Sequence, residues 1–151
     1  MKTWNLGYEK SKEKAKNIYS KIGRLSSPAL NNYINFTSIG FNHLIRKGRI
    51  PRTRNEQKRR FVLIPFVEQI LKNPKAVIEY RSNEIKYYSN RYGNSVLITS
   101  FAQFWTFVEE VDSCEIKVVI RQINQGEPHF LSVMGDKVSV SKGRKRHKKS
   151  P

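Results

Sequence analysis

The hydrophobic positions of this chain change period along its length. Over residues 8–23, YEKSKEKAKNIYSKIG, only Tyr8, Ala15, Ile18, Tyr19 and Ile22 form an apolar stripe, and it is narrow. The pattern predicts a lysine-rich helix, either a loosely docked leader or a linker. Ser26, Ser27 and Pro28 read as its break. LNNYINF (30–36) reads as a short strand or an extended lead-in. Thr37 or Ser38 offers an N-cap for a helix over Ile39–Lys47, with Gly48 as its stop. At helical spacing Phe41, Leu44 and Ile45 share one side. His43 and Lys47, four apart, share the other, with Arg46 beside them. Thr53 and Glu56 have the spacing of a capping box, so a second helix is expected from about Arg54. Its stripe, Phe61, Ile64, Val67, Ile70 and Leu71, runs through Pro65, which predicts a kink or a restart. Asn73-Pro74 ends it.

From there the period becomes two. Val77–Tyr80 and Ile85–Tyr88 read as short strands in a hairpin about Ser82-Asn83. Asn90–Asn94, with Gly93, reads as a turn. Ser95–Ile98 and Phe104–Val108 are rich in strand formers, and Ser113 to Glu115 is another turn. Ile116–Ile123 is the strongest strand, with Ile116, Val118 and Ile120 on one face and Lys117, Val119, Arg121 and Ile123 on the other. Asn124–Glu127 closes a hairpin into Pro128–Met134. Helices first and an antiparallel meander after them mean an α+β fold. The expected division is a helical leader over 1–29, a domain over 30–138, and a disordered basic tail over 139–151.

Composition adds the partner class. The 151 residues are 38% hydrophobic and 11% aromatic, too apolar for a wholly disordered chain. Lys plus Arg number 29 against 12 Asp plus Glu, a net charge of +17 that calls for a polyanion. Nucleic acid is the first candidate and an anionic membrane surface the second. The tail run KGRKRHKK (142–149) holds six of the basic residues, leaving +11 of the +17 elsewhere. His147 belongs to it and carries no assigned chemistry. Cys114 is the lone cysteine, which excludes an internal disulfide and a multi-thiolate zinc site. It reads as a small, half-buried residue at a strand start. The N-terminus has no apolar signal core, and no window nears the run of about 18 apolar residues that spans a bilayer. The chain is therefore expected to be cytoplasmic and monomeric, without membrane insertion.

The densest cationic stretch is Arg46–Arg60, RKGRIPRTRNEQKRR, with eight basic residues and one acid, Glu56. Apolar segments flank it at both ends, so it reads as a ridge on a folded domain. Arg46, Arg49, Arg52, Arg54, Lys58, Arg59 and Arg60 are its candidate phosphate contacts. No Walker-type glycine loop, HExxH or cysteine-rich pattern is present, and the carboxylates are too scattered for a two-metal nuclease. No metal or other cofactor is expected. His43, beside Lys47, reads as an exposed imidazole with a lowered pKa, or as an ordinary solvated surface histidine. His129, Arg121 and Ser132 complete a set suited to metal-independent RNA cleavage, in which the RNA supplies its own 2′-hydroxyl nucleophile. A two- or four-residue loop at Gln125-Gly126 would put Arg121 and His129 on opposite faces. A three-residue loop, or a bulge at Gly126, would bring them together. Phe104, Trp105 and Phe107 read either as stacking platforms or as core.

Three segments, FTSIGFNHLIRKGR, NEQKRRFVLIPF and KVVIRQINQGEPHFLSVM, resemble the phage-type branch of the barnase–EndoU–colicin–RelE nuclease superfamily. The resemblance covers roughly residues 34–135. It implies one or two helices on a twisted antiparallel sheet of about four strands, with RNA across the open sheet face. It carries over onto His43, Lys47, Arg59, Arg60, Arg121, His129 and Ser132. Barnase itself uses a strand glutamate as base, and no equivalent is evident here, so the identity of the base stays open. The expected activity is a toxin-like or mobile-element endoribonuclease acting on tRNA or other structured RNA. An acidic inhibitor or immunity protein is a candidate partner. The alternative is a non-catalytic nucleic-acid-binding module of the same fold.

Overall fold

The computed structural model describes residues 7–137. The basic run 142–149 and its expected disorder lie outside the described residues. The fold is α+β. In chain order it comprises α1 (Tyr8–Ile22), β1 (Arg24–Ser27), β2 (Asn32–Asn35), α2 (Ser38–Ile45), β3 (Arg46–Lys47), β4 (Ile50–Pro51), α3 (Arg54–Phe61), α4 (Ile64–Lys72), β5 (Val77–Arg91), β6 (Asn94–Val111), β7 (Cys114–Ile123) and β8 (His129–Lys137). Six strands form one sheet in the order β1-β2-β8-β7-β6-β5. The meander β5–β8 is antiparallel as expected. The sheet is larger than four strands, and it is mixed, because β2 joins β8 in parallel through the single pair Asn35↔His129.

The helices cover one face. Ile116, Val118 and Ile120 of β7 bury against Phe107 of β6, Phe130 of β8 and the apolar side of α4, all at or near zero exposure. The alternation read from the sequence holds here because one side of β7 meets this core. Its other side meets a smaller cluster of Ala102, Phe104 and Val119. Cys114, the first residue of β7, is buried.

α1 is no loose leader. Ala15 and Tyr19 are core residues, 1% and 5% exposed, and the helix packs on α3 and α4. The Tyr19 hydroxyl donates to the Thr37 carbonyl at 2.6 Å. A stripe of few residues was enough because two of them are aromatic. The expected break at Ser26-Ser27 is strand β1, where the buried Ser27 hydroxyl donates to the Leu71 carbonyl at 2.7 Å. α2 stops at Ile45, two residues short of expectation. Arg46 and Lys47 pair instead with Pro51 and Ile50 around Gly48, whose φ of +65° serves a hairpin turn and not a helix stop. The Thr53 hydroxyl accepts from the Glu56 amide, as the capping box predicts, and the helix restarts as α4 with Pro65 in its first turn.

No hairpin forms at Ser82-Asn83. These residues pair with Gln103 and Ala102 inside one continuous 15-residue strand. Polar residues occur there because this part of β5 faces solvent, not because the chain turns. The reversal comes at Tyr92-Gly93, both at positive φ, inside the expected turn.

Gly40 in α2 sets how closely that helix meets β8. A Cβ there would lie 2.5 Å from the Phe130 carbonyl oxygen and from the Tyr19 hydroxyl. Backbone cannot swing away, so Gly40→Ala is expected to destabilise the fold at the upper end of the range for overpacking, about 3 kcal/mol. The thermal midpoint should fall by roughly 10 °C. A midpoint unchanged in a thermal melt would show that α2 does not sit this close.

Candidate functional site

The β7–β8 hairpin builds the centre of the site. Five residues, 124–128, join its strands, and the turn at the tip closes with the Gly126 amide donating to the Ile123 carbonyl at 3.0 Å. Arg121 therefore lies directly opposite His129, on the sheet face that the helices leave uncovered. A bulge follows. Ile120 pairs with Phe130 but Val119 pairs with Ser132, so Leu131 is the extra residue. The bulge returns Ser132 to the face that carries Arg121 and His129.

Arg121 Nε donates to His129 Nε2 at 3.0 Å. The ring's other nitrogen is hydrogen-bonded to the Glu127 backbone. These partners assign the proton to Nδ1. Burial, and then the Arg121 charge, push the His129 pKa down to about 4, so the ring is neutral at pH 7. Among the described residues the Nη1 and Nη2 nitrogens of Arg121 make no hydrogen bond, which leaves its fork open.

Two further guanidiniums converge from the ridge. Arg60 of α3 donates through Nη1 to Ser132 Oγ and to the Val133 carbonyl, both at 2.9 Å. Arg52 donates through Nε to the His43 carbonyl at 3.0 Å. Arg52 is itself held, since Gln57 Nε2 donates to its carbonyl at 2.8 Å and the Tyr8 hydroxyl donates to Gln57 Oε1 at 2.6 Å. The ion pairs among the described residues are Arg24–Glu127 and Lys72–Glu68. Arg52, Arg60 and Arg121 thus gather with no carboxylate bonded to any of them. Half-buried guanidiniums left in that state are partly desolvated and favour an anion beside them.

His43 faces this cluster from α2. It is half-buried, not exposed, and its Nδ1 is buried without a hydrogen bond. Its pKa is pushed down to about 4. Burial is the largest cause, followed by Arg52, Arg60, Arg121 and last Lys47. The direction expected from sequence is correct, but the lysine is its weakest cause. Lys47 sits in β3, exposed, and not one helical turn from the imidazole.

The structure therefore brings together His43, Arg52, Arg60, Arg121, His129 and Ser132. Ser132 is 2% exposed and its oxygen is taken by Arg60, so it anchors that guanidinium. Arg46, Arg49, Arg54 and Arg59 stay exposed along the ridge and Lys58 partly so, with Arg54 stacked on the Tyr8 ring at 4.6 Å. Phe107 is core. Phe104 is nearly buried, with the Arg81 guanidinium 4.0 Å from its ring centre. Arg81, Gln57 and Tyr8 were not legible as parts of this region, since only cross-strand register and helix packing place them here. Glu127, the acid of the hairpin, is tied to Asn35 Nδ2 at 2.6 Å and to Arg24 at 3.0 Å. Those partners, Asn35 first, hold its pKa down and make it a poorer base than a free carboxylate. No group of three or more His, Cys, Asp or Glu side chains suited to a metal ion occurs among the described residues. A cavity of about 530 Å³ lies elsewhere, between α1, β1 and α4, and holds no imidazole. The candidate site is an open cationic surface, which suits a polymer better than a small molecule. No helix among the described residues is long and apolar enough to cross a membrane.

The two imidazoles make a pH signature. Between about pH 6.5 and 4 an unfolded chain binds protons at both, while the folded chain does not. Stability is therefore expected to be highest above pH 6.5 and to fall as the pH drops toward 4. The double variant His43→Gln, His129→Gln should lose less of its thermal midpoint across that window. Equal losses in the variant and the parent would show that the rings are not held neutral. Comparison with family models, curated proteins and solved structures gives no match.

Proposed function

We propose that the protein is a metal-independent endoribonuclease that cuts tRNA or another structured RNA by attack of the 2′-hydroxyl on the adjacent phosphorus. One observation carries the reading: two neutral imidazoles stand among three guanidiniums that, among the described residues, form no ion pair with a carboxylate. Phosphate binding alone needs the cations and gains nothing from a desolvated base beside them.

The phosphodiester docks on Arg52, Arg60 and the free fork of Arg121. Its negative charge offsets the cations around His43, so the pKa of that ring rises toward the working range when substrate is bound. His43 takes the 2′-hydroxyl proton. The bond from the 2′-oxygen to phosphorus forms, and the bond from phosphorus to the 5′-oxygen breaks. The 5′-oxygen takes a proton from water at the open face, and the hydroxide left behind takes the proton from His43 and restores the neutral ring. The products are a 2′,3′-cyclic phosphate and a 5′-hydroxyl. Arg121 spans the non-bridging oxygens, where charge builds in the transition state. His129 acts through Arg121. With its Nδ1 proton engaged by the Glu127 backbone, the neutral ring has none to give a leaving group, so it is a positioning residue that aims the fork. The resemblance to the phage-type nuclease branch supports the same reading. With it comes a role as a toxin or mobile-element effector, whose acidic inhibitor would cover this cationic surface.

A non-catalytic RNA-binding module is the second reading. It is favoured by the engagement of His129 with Arg121 and of Ser132 with Arg60. Incubation with total tRNA decides between them. Cleavage is expected in excess EDTA, leaving cyclic phosphate ends, and a 2′-deoxy sugar at the cut site should block it. Loss of activity on chelation, or cleavage of the deoxy substrate, removes the mechanism. Salt-sensitive binding without cleavage leaves the module.

A further inference from the structure

β5 and β6 outrun the rest of the sheet. β7 pairs with β6 only as far as Ala102, whereas β5 follows β6 on to the pair Arg91↔Asn94. The segment from Ile85↔Ser100 to that tip is a two-stranded ribbon about 20 Å long. Such a ribbon is marginal by itself, and the site hairpin braces it. The Asn124 amide donates to the Phe101 carbonyl at 2.8 Å, and Asn124 Oδ1 accepts from the Phe101 amide at 3.0 Å. Asn124 Nδ2 donates to Ser100 Oγ at 3.2 Å. The residue that caps the Arg121–His129 hairpin therefore also holds the base of the arm.

The arm's chemistry is one-sided. From Ile85 to Ser100 there is no acid, while Lys86 and Arg91 are present. Tyr88 is 72% exposed and Tyr92 wholly so. Tyr87, Val96 and Leu97 are exposed as well, so the arm offers apolar and aromatic surface edged by two cations and no acid, which suits the sugars and phosphates of an RNA backbone. A second copy of this chain would bring +17 against +17. The register continues the site at Arg91, because Arg81 lies across Phe104 from Arg121 and alternation puts Arg91 on the same side of β5 as Arg81, while Lys86 and Tyr88 lie on the other side, so a ribbon lying in a groove presents contacts from both faces.

We propose that this arm grips the helical stem flanking the cut strand, and so selects structured RNA over single strands. A narrow twisted ribbon can follow the wide, shallow minor groove of A-form RNA, which an unpaired strand does not offer. The inference rests on the ribonuclease reading but is tested by binding alone. The probes are a stem-loop 2′-O-methylated only at its unpaired nucleotides, which cannot be cut there by 2′-hydroxyl attack and keeps the hydroxyls of its stem, and the same loop sequence, likewise methylated, as a single strand. In the triple variant Lys86→Ala, Tyr88→Ala, Arg91→Ala, stem-loop affinity should fall about tenfold or more, and the slope of log affinity against log salt should shrink by about one to two units. Affinity for the single strand should stay within about twofold. A second variant, with Lys86–Thr99 replaced by an Asn-Gly turn, should do the same with a larger loss. Equal losses on both RNAs, no loss on either, or a wild-type dimer that the shortened arm abolishes would overturn the inference. A wild type that needs its arm to hold the stem-loop yet cuts no unmodified RNA keeps this inference and removes the nuclease reading.

Discussion

Replacing His43 with alanine is expected to lower turnover by about 10²–10⁴-fold, the range of a lost general base. RNA affinity and the thermal midpoint should barely move. The backbone carbonyl that holds Arg52 remains, and Nδ1 makes no hydrogen bond for the substitution to break. A base works mainly in the transition state, so the loss belongs in kcat and not in the dissociation constant. The variant is checked by single-turnover cleavage beside equilibrium binding. A modest loss of affinity with kcat intact would make His43 one more ridge residue and remove it as the base.

Arg121→Lys is expected to cost about 10² to 10³-fold in kcat. An ammonium cannot keep a bond to His129 Nε2 and also present a planar fork to two phosphate oxygens. His129 separates positioning from acid catalysis. His129→Ala frees Arg121 Nε from its acceptor and lets the fork swing, for an expected loss of about 10²-fold. His129→Gln restores a side-chain oxygen that can accept from Nε, and should recover most of that loss. If His129 is instead the general acid, glutamine and alanine fail alike, because neither carries an ionisable proton. The ratio of kcat between these two variants is the measurement.

The secondary structure was legible wherever a local rule governed it. Thr53 and Glu56 placed the start of α3, Pro65 placed the restart, and the alternation of Ile116, Val118 and Ile120 with Lys117, Val119 and Arg121 placed both faces of β7. Local rules failed where a distant partner satisfied the chain. Ser26-Ser27 looked like a break until the Leu71 carbonyl took the Ser27 hydroxyl. Gly48 looked like a helix stop until Arg46 and Lys47 paired with β4. Ser82-Asn83 looked like a turn until β6 ran alongside.

The site divides in the same way. The excess of cations, the scarcity of acids, the two histidines and the candidate residues around them are properties of the sequence, and they already pointed to a polyanion and to chemistry without a metal. Whether those residues meet was left to the tertiary structure. An odd connection, the five residues 124–128, with the register Arg121↔His129 decides the face of His129, because side chains alternate with every residue along a strand. The bulge at Leu131 decides that Ser132 anchors Arg60. The packing of α2 and α3 beside β8 decides that His43 is half-buried among three guanidiniums. Proximity and desolvation control the protonation of that ring, and both come from contacts far apart in the chain, which no spacing of residues along it records.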